Sequence, residues 1–118
     1  MWVFTQRMET LVTRKIIKLN SAIQCMTSEN GPAGIEKAVH QLQKLLDQLR
    51  HIDDNQPRYL MAWNLLTHYG KIELRNVQFY HVYTEREVVS PVAQLHYDRA
   101  FTNLKELINT AISMLSLQ

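Results

Sequence analysis

Lys71-Ile72-Glu73-Leu74-Arg75-Asn76-Val77-Gln78-Phe79-Tyr80-His81-Val82-Tyr83 is the stretch that decides between an all-helical chain and one containing a sheet. Ile72 and Leu74 alternate with polar residues, and Val77, Phe79, His81 and Tyr83 continue the alternation, which is the period of a half-buried strand. Leu74, Val77, Phe79 and Val82 fit a helical repeat nearly as well. A strand needs a partner for its backbone groups, and no partner is evident elsewhere in the chain. The reading is therefore a helix across 71–89, with a hairpin as the alternative.

Upstream, Pro57 to Tyr69 reads as an apolar helix carrying Tyr59, Leu60, Met61, Trp63, Leu65 and Leu66, expected to be central and covered on several sides. Asp53-Asp54-Asn55-Gln56 supplies its N-cap, Pro57 suits its first turn, and Gly70 is expected to stop it. Before it, Ala33 to Ile52 shows the clearest amphipathic pattern, with Ile35, Val39, Leu42, Leu46, Leu49 and Ile52 in steps of three and four. Val3 to Met26 forms another helix through Met8, Val12, Ile16, Leu19, Ile23 and Met26. The run Thr27-Ser28-Glu29-Asn30-Gly31-Pro32 breaks it. Downstream, Ser90-Pro91 caps a last helix to Leu117, striped by Leu95, Phe101, Leu104, Ile108, Ala111 and Leu115. The fold class that follows is all-α: one domain over residues 1–118, an antiparallel four- to five-helix bundle.

Composition narrows the function classes. In 118 residues, 46% hydrophobic and 20% charged places the chain among globular proteins. No uninterrupted apolar run approaches the roughly 18 residues that a membrane crossing needs. Met1-Trp2-Val3-Phe4 lacks the pattern of a secretory leader. Cys25 is the sole cysteine, which excludes an internal disulfide and a multi-cysteine zinc site and suits a reducing, cytoplasmic setting. A net charge of +2 is too small to argue by itself for a polyanionic partner.

Few residues suggest chemistry. His40, His51, His68 and His96 lack the spacing of a metal set, and no glycine-rich phosphate loop is present, so no metal or cofactor is expected. Asp53-Asp54 reads as a cap, and Cys25 as a small core residue. Met8, Met26, Met61, Met114 and Trp63 read as core. Arg7, Arg14 and Lys18 share nearly one helical face with Lys15 beside them; such a stripe contacts nucleic acid in some proteins and is a solvated face in most. Trp2 and Phe4 are hard to bury within one bundle and suggest an interface, as does the aromatic run Phe79, Tyr80 and Tyr83.

Arg75-Asn76 followed by His81 and Tyr83 resembles the signature of the HEPN domains, small helical bundles in which an Arg, a polar residue and a later His recur. The resemblance implies a metal-independent RNase, or an RNA-binding relative, that works as a dimer. Arg75 would then hold the scissile phosphate, Asn76 would orient the phosphate or the histidine, and His81 would act as general acid or base, with Tyr83 marking one branch of the family. On a straight helix Arg75 and His81 point roughly 120° apart, so a productive pair needs Arg75 on the helix entry, or a second subunit, to close the gap. The plain alternative is a structural arginine and a histidine among aromatic rings. The function expected overall is a self-associating protein–protein interaction or regulatory module, an inhibitor, chaperone or complex subunit, with the RNase as the rival.

Overall fold

The computed structural model describes residues 2–86 and 90–116, with side chains from residue 6 onward. Helix α1 (Trp2–Gln24) is followed by a short 3-10 turn, Ser28–Asn30, and then by α2 (Pro32–Ile52). Helix α3 (Pro57–Leu65) runs through a single π turn, Leu66–Gly70, directly into α4 (Lys71–Thr84). Helix α5 (Pro91–Ser113) ends in a 3-10 turn, Met114–Ser116. The described residues contain no strand. Since α3 and α4 form one rod, the described residues make a bundle of four rods, and the all-α expectation holds.

The boundaries have local causes. Gly31 has φ 79°, a conformation that side chains resist, so the chain turns there and Pro32 starts α2 at its first position. Ser90 caps α5, its hydroxyl accepting a hydrogen bond from Val92 N at 3.2 Å. The expected cap at Asp53–Gln56 is different: Gln56 is the N-cap of α3 but makes no side-chain bond to it. Asp53 instead closes α2, and its carboxylate accepts from Asn55 N.

Gly70 corrects the expected stop. It is helical, with φ −61° and ψ −37°, and buried within the rod. A β-carbon there would lie 3.1 Å from Leu66 Cδ1 and 4.0 Å from Leu107 Cδ2. The tight contact is with the Leu66 side chain of the same π turn, while α5 stands at ordinary contact distance, so the glycine makes room for Leu66 and does not serve through backbone freedom.

Helices α1 and α2 form one antiparallel hairpin, and α3–α4 with α5 form the other. Helix α1 rests on α2 and α5, while α2 also meets α3 and α4, which leaves α1 diagonal to the α3–α4 rod. The core is one cluster that includes Val12, Ile16, Ile23, Ile35, Leu42, Leu46, Leu49, Leu66, Val77, Leu104 and Ile108. The stripe of α2 is buried as its spacing requires, with Ile52 partly covered.

Other expected core residues are not in the core. Leu60 and Met61 are exposed, so α3 is a flank helix and not a central one. Trp63 is half-buried under the Arg50 guanidinium, 4.2 Å from its ring centre. Leu95 and Cys25 are exposed. Of the remaining methionines, Met26 and Met114 pack against the core from partly buried positions. Trp2 and Phe4 lie outside the described side chains, and so do residues 87–89 at the end of the stretch first expected to be helical.

Polar contacts fix the register between the hairpins. Asn20 donates to Asn109 Oδ1 at 3.1 Å, Gln24 to the Lys105 carbonyl at 2.9 Å, and Lys105 to the Met26 carbonyl at 2.8 Å. Further along, Ser28 donates to Asp98 at 2.7 Å, and Tyr97 donates to the Ser28 carbonyl at 2.6 Å. Tyr97 is therefore level with the turn that closes the first hairpin. Residues 90–96 and the opposing end of α4 continue past that turn, which helps give the molecule its 60 × 20 × 18 Å outline.

Candidate functional site

Helix α4 carries Arg75, Asn76, His81 and Tyr83, and the helical period distributes them over different faces. Leu74 and Val77 are buried and fix which side meets the bundle. At about 100° per residue, Ile72, Arg75, Phe79, Val82 and Tyr83 fall on the opposite side. Ile72, Arg75, Phe79 and Val82 are indeed exposed, as is Arg86 just past the helix.

Arg75 and His81 accordingly diverge within one chain. Six residues separate them, a rise of about 9 Å and a rotation that leaves them roughly 120° apart. Arg75 is exposed, whereas His81 is half-buried, its ring 5.2 Å from that of Tyr97. His81 Nε2 also lies 3.6 Å from Glu85 Oε1. Burial, aided by the nearby Asp98 and Glu85 carboxylates, raises the Tyr97 phenol above its ordinary pKa. Asn76 is partly covered, and the Tyr83 ring meets Phe79 edge-on at 5.1 Å. Arg75 and His81 therefore face different sides of α4.

What the hairpin does gather is aromatic surface. Tyr83, Phe79 and Tyr80 form a line of edge-to-face contacts, with Phe79 and Tyr80 at 5.2 Å. Tyr80 then stacks on His96 of α5 at 5.0 Å. The Arg86 guanidinium sits 4.4 Å over Tyr83. Tyr97 and Phe101 continue the rings into the core. Contacts of this kind hold each ring in place, so Phe79 is presented on a fixed platform. It is 55% exposed, and Val82, Val92 and Leu95 are exposed to a similar degree.

Of the residues expected at an interface, Phe79 is exposed on this surface and Tyr80 and Tyr83 are partly covered at its edge. Ile72, Val82, Val92 and Leu95 were missed. For Ile72 and Val82 the signal was present in the sequence: α4 has apolar residues on two opposite sides, more than one core can absorb.

The cationic stripe of α1 is also exposed, but it divides. Arg7 and Arg14 border a shallow surface with Gln6, Thr10 and Leu11. Lys15 and Lys18 face the seam between α1 and α2. Among the described residues no three histidine, cysteine or carboxylate side chains gather as a metal set, and no helix is long and apolar enough to cross a membrane. No protein-family model, curated protein or solved structure matches this chain.

Proposed function

We propose that this protein is a helical interaction module that self-associates through the outward side of the α4–α5 end. The observation that carries this reading is Phe79, exposed on a helix whose opposite side is already committed to the core, with Ile72 and Val82 beside it. Isolated exposed apolar residues need no explanation, but a group of them on one protruding hairpin does. A second copy is a fitting partner because a twofold axis sets the same exposed apolar residues, Ile72, Phe79 and Val82, against their own counterparts, with Arg75 among them and Glu85 and Arg86 at the end of the helix.

The test is the mass in solution by light scattering as concentration rises. The wild type is expected to reach a dimer, and Phe79→Glu to remain a monomer with an unchanged helical circular-dichroism spectrum. A wild type that stays monomeric at the highest concentrations would remove the proposal.

The HEPN-like reading stands second, and one observation favours it. Arg75 lies on the same surface that would meet a second copy, while His81 stays partly open to solvent. A dimer through this surface would thus bring two such motifs close. Arg75 would neutralise charge on a phosphate, and His81 would move a 2′-hydroxyl proton. Incubation with RNA in EDTA tests it: cleavage that disappears in His81→Ala supports an RNase, and neither cleavage nor RNA affinity leaves the interaction module alone.

A further inference from the structure

The seam between α1 and α2 holds a trough of about 540 Å³ lined by Lys15, Lys18, Leu19 and Ala22 from α1 and by Gln41, Lys44, Leu45 and Gln48 from α2. Each wall follows the same rule, residues at i, i+3, i+4 and i+7, with a Lys–Leu pair at its centre: Lys18-Leu19 on one side, Lys44-Leu45 on the other. Because the helices are antiparallel, the two pairs face each other across an approximate twofold. Leu19 and Leu45 pack against the core from partly buried positions and make an apolar floor. Ala22 keeps it open, since its side chain ends at the β-carbon. Three ammonium groups stand on the rim, and no carboxylate lines the trough.

We propose that this trough binds an acidic amphipathic helix of a partner protein. The stretch from Lys15 to Ala22 spans about 10 Å at 1.5 Å per residue, which accommodates two turns. Apolar side chains at i, i+3 and i+7 of the partner would sit on Leu19, Ala22 and Leu45, as in other helix-in-groove complexes. Carboxylates on both flanks of that stripe would meet lysines on both walls. Complementary charge on both sides fixes direction and register and excludes basic helices. A second copy of this chain does not provide such an element. The charged residues exposed on α4 are Lys71 and Arg75, with Glu85 and Arg86 just past its end, and those exposed on α5 are Arg99, beside Leu95 and Val92, and Glu106, so neither helix carries carboxylates on both flanks of its exposed apolar residues. The trough and the α4–α5 end are separate surfaces, so the two proposals stand or fall independently.

The experiment uses the full chain and a labelled, end-capped helical peptide with leucines at i, i+3 and i+7 flanked by glutamates, read by fluorescence anisotropy. Saturable binding is expected, weakening as salt rises. Ala22→Trp, which fills an exposed position in the trough, should weaken it by about tenfold or more, and so should Lys18→Glu combined with Lys44→Glu. Phe79→Glu should leave it unchanged. Circular dichroism of each variant establishes that the bundle is intact. The proposal is overturned if the peptide does not bind, if its glutamine counterpart binds equally well, or if Ala22→Trp has no effect. Capture of the chain by phosphatidylglycerol vesicles or single-stranded RNA through these lysines, without peptide binding, overturns it as well.

Discussion

Two tyrosines make the clearest statements at the scale of single residues. Tyr97 donates to the Ser28 carbonyl at 2.6 Å and Tyr59 to Glu9 at 2.9 Å, and each joins the two hairpins. Burial raises both phenols above their ordinary pKa, and for Tyr59 the hydrogen bond to Glu9 adds to the rise while Arg58 opposes it. A raised pKa in the fold means that the folded state holds its proton more tightly than the unfolded one. Stability from these groups is then fully present below the unfolded value of about 10 and is lost as pH climbs beyond it. Thermal melts should therefore fall more steeply above that pH in the wild type than in a Tyr59→Phe, Tyr97→Phe double variant; equal slopes would contradict the assignment. Gly70 gives a second prediction. With Leu66 Cδ1 3.1 Å and Leu107 Cδ2 4.0 Å from where a β-carbon would lie, Gly70→Leu should cost about 1–3 kcal/mol through overpacking, measured by urea unfolding. That role was not legible in the sequence, because a glycine that ends a helix and one that admits a neighbour look alike until the neighbour is known. Cys25 and Met61 misled for a simpler reason. They are small or apolar, but each lies roughly 160° from a buried residue two positions before it, Ile23 or Tyr59, at 100° per residue.

Elements were the most legible level. The stripe of α2 required no tertiary information, and Ile35, Val39, Leu42, Leu46 and Leu49 are all fully buried. Leu46→Ala should cost about 2–5 kcal/mol by chemical unfolding; a loss below 1 kcal/mol would mean that α2 is not the packing centre assigned to it. Ser90 and Pro91 were readable as a start signal, and Ser90→Ala should remove about 1 kcal/mol through the lost bond to Val92 N. In α5 the stripe was misread at its first member. Leu95 precedes Phe101 by six residues, a rotation that turns it away from the buried side, and Tyr97 takes the core position instead. The ambiguous stretch at 71–83 alternated because α4 carries apolar residues on both sides. Leu74 and Val77 serve the core, while Phe79 and Val82 do not. What resembled a strand was a helix with a second apolar surface.

At the scale of the whole molecule, the stagger of the hairpins matters most. Periodicity shows which residues share a side, but it does not show how far one hairpin slides along the other, and that offset leaves the end of α4–α5 beyond the first hairpin. The same limit applied to the trough between α1 and α2. Lys18-Leu19 and Lys44-Leu45 were visible as pairs, yet only the antiparallel packing sets them face to face. The account depends on the bare α4 surface meeting its own copy. The most direct test is a pulsed dipolar distance between nitroxides attached at Gln78→Cys, on the flank of that surface, in a Cys25→Ser background. The account predicts a coupling between the two copies that is shorter than the one from labels at Arg14→Cys, on the diagonally opposite helix. No coupling at residue 78, or a shorter distance at residue 14, would contradict it.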